Sequence, residues 1–130
     1  MREKRQHRRV KTYIECIIFD NDNKEEISGF VTDLSAHGIG ILIKGNHHLE
    51  VGKTYEMQCV KQFVFDKDYS FLVVEIKFTR FERAEDGIKS GAMIVNRLGC
   101  VIEDYIHKID VENYMDVMRF TEYRKKEVNT

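Results

Sequence analysis

The order of strand-like and helix-like segments limits most strongly what this chain can fold into. Up to residue 95, runs rich in β-branched and aromatic residues alternate with short polar turns. The turns recur about every 8–12 residues, a spacing typical of small all-β domains. After residue 96 the apolar residues take up helical spacing instead. The pattern therefore predicts six or seven short antiparallel strands followed by helix, in a small barrel or sandwich.

The strand-like runs can be given limits from their composition and parity. One parity of the fifth run consists of large apolar residues and is predicted to face the core: Leu72, Val74, Ile76 and Phe78. After the strands, apolar residues between 101 and 109 share one helical face, and Asp110 is a suitable N-cap for a second helix. The predicted strands are 10–19, 27–32, 39–43, 54–64, 69–83 and 88–95.

The composition predicts a cytoplasmic protein of one domain. The chain has 130 residues, of which 42% are hydrophobic, so it can bury a core without disulfides or metal. Its three cysteines, Cys16, Cys59 and Cys100, form no Cys-x-x-Cys pair, which indicates neither a disulfide framework nor a zinc site. No apolar stretch approaches the roughly 20 residues of a membrane span, and the charged N-terminus is not a signal peptide.

Positive charge is concentrated at the N-terminus. Residues 1–12 carry six basic side chains and one acidic side chain, although the whole chain has a net charge of −1. This asymmetry indicates an anionic partner for the N-terminal arm and argues against a protein that coats nucleic acid. The alternative is a solvated basic tail without a ligand.

Two arginines of the arm, Arg5 and Arg9, are separated by four positions and stand directly before the first strand. On an extended or turning arm, they could close over a ligand from two sides. The planar guanidinium fork binds phosphate oxygens, or O6 and N7 of guanine, in bidentate fashion. Lys4 and Arg8 have the same spacing and provide an alternative register.

A polar turn between the second and third strands is the other candidate site. Asp33 has a carboxylate that can accept hydrogen bonds from N1–H and the amine of a guanine, an edge that adenine lacks. The Ser35 hydroxyl can bind base or phosphate, or brace the turn. Gly38 is predicted to adopt a positive φ or to leave room for a ligand. The same residue types also form ordinary tight turns, so the turn alone is ambiguous.

Taken together, the two motifs resemble the PilZ domain family. They read Arg5-x-x-x-Arg9 directly before an apolar strand, and Asp33-x-Ser35-x-x-Gly38 between two strands. The resemblance implies a mainly β fold, a six-stranded antiparallel β-barrel with a C-terminal α-helix. It also implies binding of the bacterial second messenger cyclic di-GMP. The implied organisation is a flexible basic arm at 1–9, the barrel at 10–98, and a helical segment packed on the barrel at 99–130.

The resemblance also implies a role for each motif residue. Arg5 and Arg9 would hold phosphates and the Hoogsteen edge of a guanine, Asp33 and Ser35 would read its other side, and Gly38 would shape the turn. We prefer this register because Arg9 directly precedes the apolar Val10. Lys4 occupies the position that influences whether family members bind one ligand or a stacked pair, and the stoichiometry stays open.

The predicted function is that of a non-enzymatic receptor. No nucleophile–base pair, metal cluster or suitably spaced carboxylates can be named, so neither catalysis nor a cofactor is predicted. The ligand would order the arm and alter a surface seen by an effector protein, in a monomer or a homodimer without a membrane span. The alternatives are a protein-interaction module of the same fold that works without nucleotide, and a sequence-tolerant nucleic-acid binder.

Overall fold

The computed structural model describes residues 8–45 and 47–128. The prediction for the arm at residues 1–7, including Lys4 and Arg5, therefore lies outside the described residues. The described chain forms six strands and one helix. In order they are β1 (Val10–Asp20), β2 (Glu25–Leu34), β3 (Gly38–Ile43), β4 (Thr54–Gln62), β5 (Tyr69–Ala84), β6 (Gly87–Asn96) and α1 (Ile102–Val128).

The six strands close into a barrel with the order β1-β2-β3-β6-β5-β4. Every neighbouring pair is antiparallel, and β1 closes the ring by pairing with β4, where Cys16 stands opposite Cys59. This architecture confirms the predicted six-stranded antiparallel barrel with a C-terminal helix. Each strand therefore has a hydrogen-bonded neighbour on both sides, although β1 and β4 pair only over Cys16–Phe19 and Glu56–Cys59.

The core fills the barrel with the inward parity of each strand. Four alternate residues of β5 are no more than 1% exposed, which confirms the predicted parity: Leu72, Val74, Ile76 and Phe78. The core also contains an aromatic pair between β4 and β5: the ring of Tyr55 packs edge-on against Phe78, with the ring centroids 5.5 Å apart. Cys16 and Cys59 are buried free thiols within the same cluster. Burial of this apolar surface is the main stabilising contribution to such a fold.

Helix α1 covers part of the barrel through its first two and a half turns. Ile102, Tyr105 and Ile109 are nearly inaccessible to solvent, and the Tyr105 ring packs edge-on against Phe63 at 5.5 Å. The helix continues without interruption to Val128, so the prediction of a second helix capped by Asp110 is wrong. The Asp110 carboxylate instead binds the Arg8 guanidinium, an interaction across 102 positions of sequence. Within residues 8–45 and 47–128, no helix has the length and apolarity needed to cross a membrane.

Candidate ligand-binding site

Pairing of β1 with β2 brings the two sequence motifs together. Val10 stands opposite Leu34, and Lys11 stands opposite Asp33, so Arg9 meets the end of β2. Arg9 Nη1 donates to Asp33 Oδ1 at 2.8 Å. The Arg9 side chain is 41% exposed and that of Asp33 is 21% exposed, so both stay in contact with solvent. Residues that are 24 positions apart in sequence thus form one charged pair at the surface.

Ser35 braces the turn that follows Asp33. Its hydroxyl oxygen accepts a hydrogen bond from the Gly38 amide at 3.0 Å, and the same hydroxyl lies 3.2 Å from the Gly38 carbonyl oxygen. The Ser35 amide also donates to that carbonyl at 2.9 Å. These contacts give Ser35 a bracing role in the turn. The turn is thereby held rigid beside Arg9.

Gly38 contributes space rather than an unusual backbone conformation. It is not among the residues with positive φ, so that part of the prediction is wrong. A Cβ at this position would lie 3.5 Å from Arg9 Nη2 and 3.5 Å from the Ser35 hydroxyl, which is ordinary contact distance. An alanine would therefore fit the folded chain, but it would fill volume between these two polar groups. The glycine keeps that volume open to a ligand.

Two further glycines form the floor of the site. Asp33 on β2 stands opposite Gly40 on β3, Gly40 stands opposite Gly91 on β6, and Gly91 stands opposite Arg80 on β5. One row across four strands therefore reads Asp, Gly, Gly, Arg. Neighbouring strands lie about 4.8 Å apart, so the two charged ends of the row are roughly 14 Å apart.

The charged side chains at the two ends of the row lie over its glycines. A Cβ on Gly40 would overlap Oδ2 of Asp33, and a Cβ on Gly91 would lie 2.9 Å from Nε of Arg80. Each glycine is therefore required for the close approach of one charged side chain. The result is a shallow floor with Arg9 and Asp33 at one side and Arg80 at the other.

A cleft of about 340 Å³ opens above this floor. Arg9, Ser35 and Gly38 line it, whereas Asp33 contributes through its ion pair with Arg9. The remaining lining residues are His37, Ile39, Thr79, Arg80, Gly91, Ala92 and Met93. Its volume falls within the range of about 300–1,000 Å³ that is usual for small-molecule sites. The structure thus collects all the sequence-predicted site residues that it describes, except Arg8.

Arg80, Gly40 and Gly91 are the site residues that sequence reasoning missed. Arg80 follows an irregularity in the pairing of β5 with β6, between Phe78 and Arg80, which breaks the simple alternation of inward and outward residues. The two glycines have no local signal, because their role depends on partners in other strands. Only the barrel topology could have identified them.

Two arginines connect the site to helix α1. Arg97 donates from Nη2 to the carbonyl of Ala36 in the turn, at 3.2 Å, and from Nη1 to the Glu103 carboxylate at 2.9 Å. The backbone amide of Glu103 itself and the adjacent Arg97 guanidinium lower the pKa of this carboxyl group.

Arg8 points away from the cleft and binds Asp110 in bidentate fashion. Adjacent arginines thus contact different elements, Arg9 the turn and Arg8 the helix.

Comparison with known proteins identifies the family to which this fold and these motifs correspond. The model of the PilZ domain family matches residues 3–115. The chain belongs to the PilZ domain family. No curated protein sequence gives a significant match.

Solved structures with the PilZ fold superimpose on the chain at low sequence identity. The inhibitor of motility MotI/DgrA from Bacillus subtilis has a TM-score of 0.66 and 14% identity, over 88% of this chain and 52% of that chain. The PilZ domain of YcgR from Escherichia coli with c-di-GMP has a TM-score of 0.61 and 12% identity, over 92% of this chain and 98% of that chain.

A longer YcgR structure gives the same result. Escherichia coli YcgR in complex with c-di-GMP has a TM-score of 0.55 and 13% identity, over 98% of this chain and 49% of that chain. The PilZ chain described here thus spans about half the length of MotI/DgrA and of YcgR. These likenesses establish the fold.

Proposed function

We propose that this PilZ chain is a non-enzymatic receptor for cyclic di-GMP. The ligand would be bound by Arg9, Asp33, Ser35 and Gly38, together with Arg5 of the N-terminal arm. The observation that carries the proposal is the Arg9–Asp33 pair, 2.8 Å apart beside a cleft on a barrel of the PilZ family. Two solved relatives of the same fold hold c-di-GMP.

The chemistry of the cleft suits a ligand that carries both guanine and phosphate. Asp33 uses Oδ1 for Arg9, and its carboxylate retains lone pairs that can accept from N1–H and the amine of guanine. Arg9 has five N–H donors, of which Nη2 lies beside Gly38 in the cleft. Arg80 adds a second cation at the opposite side of the floor. Two cations on opposite sides of one cleft suit a ligand with two phosphates better than a mononucleotide.

Ligand binding would also fasten the basic arm. Residues 1–12 have a net charge of +5, so an anionic ligand offsets mutual repulsion and draws the arm toward the cleft. The Arg8–Asp110 and Arg97–Glu103 contacts connect the ends of the site to α1. Closure of the arm would therefore change the surface that this part of the barrel presents to an effector protein.

The geometry of Ser35 supports binding rather than catalysis. Its hydroxyl is engaged with the amide and carbonyl of Gly38, so it is not poised as a nucleophile. Asp33 is paired with Arg9 and holds no histidine in orientation through that oxygen. The site as built recognises a ligand without a chemical step.

The test is calorimetric titration of the chain with cyclic di-GMP, with cyclic di-AMP and GTP as matched controls. We expect binding heat and an increase in Tm with cyclic di-GMP only, because ligand that binds the folded state stabilises it. Absence of heat at high micromolar cyclic di-GMP would contradict the proposal. It would favour the protein-interaction module that acts without nucleotide.

Replacement of Arg80 by alanine is expected to weaken cyclic di-GMP binding by about tenfold, which corresponds to roughly 1.4 kcal/mol. The expected loss of affinity is modest because Arg80 would attract the ligand electrostatically, and its guanidinium is not held in place by a carboxylate as Arg9 is by Asp33. Arg83 on the same strand lines a different cavity near Gly87, so Arg83→Ala is a matched control. Equal affinities of the two variants for cyclic di-GMP would contradict the assignment of Arg80 to the binding site.

Replacement of Gly40 by alanine should weaken binding by about tenfold although Gly40 need not touch the ligand. The new Cβ would overlap Oδ2 of Asp33 and displace the carboxylate from Arg9. A double-mutant cycle provides the control: in an Asp33→Ala background, Gly40→Ala should have little further effect on affinity, because the tight contact that remains is with the Thr32 hydroxyl at 3.1 Å. An additive loss in the double variant would show that Gly40 acts independently of Asp33.

A further inference from the structure

The turn at 33–38 is held from outside by hydrogen bonds from the end of β6 and from the residue that follows it. Arg97 Nη2 donates to the carbonyl of Ala36 at 3.2 Å. Ala36 is 8% exposed, so a carbonyl at this position needs a donor within the protein. The neighbouring carbonyl of His37 accepts from the Ile94 amide at 2.9 Å. Two consecutive carbonyls of the turn are thus bound to one short segment of chain.

Glu103, in the first turn of α1, orients the guanidinium that holds Ala36. Arg97 Nη1 donates to both carboxylate oxygens of Glu103, at 2.9 and 3.1 Å, while Nη2 stays on the Ala36 carbonyl. The two nitrogens of one planar group therefore bind two different parts of the fold at once. A lysine ammonium is a single point charge and lacks this fork. The geometry thus requires an arginine here, and positive charge alone is not sufficient.

A strained turn between β6 and α1 brings these two side chains together. The amide of Cys100 donates to the Arg97 carbonyl at 2.8 Å, and the two residues between them, Leu98 and Gly99, have φ of 49° and 80°. A leucine rarely adopts a positive φ, and Leu98 is 44% exposed, so burial of its side chain does not explain the conformation. Strain of this kind persists where the surrounding structure fixes one geometry. Here that geometry places Glu103 within reach of Arg97, six positions earlier.

The charge of Glu103 is by itself unfavourable for an anionic ligand. Glu103 interacts electrostatically with His37, which lines the cleft, so its negative charge acts on the cleft. By Coulomb's law, removal of this charge should strengthen the binding of cyclic di-GMP. The residues that line the cleft include neither Glu103 nor Arg97. A role in holding the turn would instead make both side chains necessary for binding, although neither touches the ligand.

We propose that Arg97 and Glu103 are positioning residues of the cyclic di-GMP site. Glu103 holds the Arg97 guanidinium, and Arg97 holds the Ala36 carbonyl, so that the turn presents Ser35 and Gly38 to the ligand in one fixed geometry. This role rests on the proposed function because it concerns the same ligand, but the rigidity of the turn can also be measured without ligand.

Calorimetric titration with cyclic di-GMP separates positioning from charge, because the two predict opposite signs for Glu103→Ala. We expect about fivefold weaker binding, the size of one exposed salt bridge, whereas loss of the charge by itself would strengthen binding. Arg97→Lys keeps the positive charge and should weaken binding to a similar extent. Asp104→Ala is the matched control: it removes the same charge from the same helical turn, but Asp104 lines a different cavity, so binding should be unchanged or slightly stronger.

Hydrogen exchange of the Gly38 amide in the ligand-free chain tests the same role without cyclic di-GMP. This amide donates to the Ser35 hydroxyl at 3.0 Å, so its exchange reports opening of the turn. Arg97→Lys and Glu103→Ala should each raise the exchange rate by about fivefold, in proportion to the same lost interaction. Asp104→Ala should leave the exchange rate unchanged.

The two measurements distinguish failure of this role from failure of the proposed function. A wild-type chain that does not bind cyclic di-GMP would contradict the proposed function, and the exchange rates would still decide whether Arg97 and Glu103 hold the turn. An unchanged exchange rate in both variants would overturn the positioning role. Binding by Glu103→Ala that is as tight as that of the wild type, or tighter, would overturn it as well.

Discussion

Replacement of Arg9 by alanine should weaken cyclic di-GMP binding by about 100-fold, or roughly 3 kcal/mol. Two losses combine in this value. A hydrogen bond to a charged group contributes about 1.5–3 kcal/mol, and a bidentate guanine contact contributes about 1–3 kcal/mol of discrimination. In addition, Asp33 loses the partner that holds its carboxylate 2.8 Å away and would meet the phosphates of the ligand unpaired. Calorimetric titration of the purified variant measures the effect directly.

Arg8→Ala is the matched control for this variant. Arg8 has the same side chain, is adjacent in sequence and binds Asp110 instead of the turn. Its removal should change the affinity by no more than about fivefold, since a salt bridge this exposed contributes at most about 1 kcal/mol. If Arg8→Ala had the larger effect, the register that uses Lys4 and Arg8 would be the correct one, and the assignment of Arg5 and Arg9 would be wrong.

The strands could be predicted from the sequence because their burial repeats every second residue. The run at 69–83 became β5 with one added residue, and its inward parity is the predicted one. Polar turns mark the ends of the other strands except β4, which ends at Gln62 although the prediction ran to 64, because the residues that follow, Phe63, Val64 and Phe65, are apolar. The change to helical spacing after 96 precedes α1. These signals are local in the sequence, and they are strong because the barrel buries one face of each strand, so that every second residue is apolar.

Helix α1 shows where local reading fails. Asp110 has the chemistry of an N-cap, and apolar residues on either side of it lie on opposite faces, which imitates two separate helices. The physical reason for the change of face is the partner of each half, because Ile109 packs on the barrel and Tyr114 does not. In the interior of the helix, the Asp110 carboxylate binds Arg8 instead of capping a helix N-terminus.

Only the part of the candidate site that is formed by short sequence motifs could be predicted from the sequence. Arg9, Asp33, Ser35 and Gly38 belong to compact motifs that a single sequence can display. The role of the floor residues Gly40 and Gly91 is visible only in the folded barrel, where β3 and β6 pair and place the two glycines between charged side chains. No spacing rule links them in the linear chain. The same applies to Arg80, whose direction depends on the irregularity in β5.

Replacement of Gly87 by alanine should cost about 3 kcal/mol in the free energy of unfolding. Gly87 ends the tight turn between β5 and β6 with a φ of 150°, in the region that favours glycine. A Cβ at this position would overlap the backbone carbonyl oxygen of Ile43 on β3, and a backbone group cannot swing aside as a side chain can. The strain must instead separate the ends of β3 and β6, where Ile43 stands opposite Ile88.

Gly52→Ala separates the conformational part of this loss from the steric part. Gly52 has a φ of 86°, but a Cβ there would meet no heavy atom within 4 Å. It should therefore cost only about 1 kcal/mol, the price of a positive φ for a residue with a side chain. Urea unfolding of both variants gives the comparison. Equal losses would mean that the contact with Ile43 relaxes, and that the β3–β6 pairing beneath the glycine floor tolerates displacement at this end.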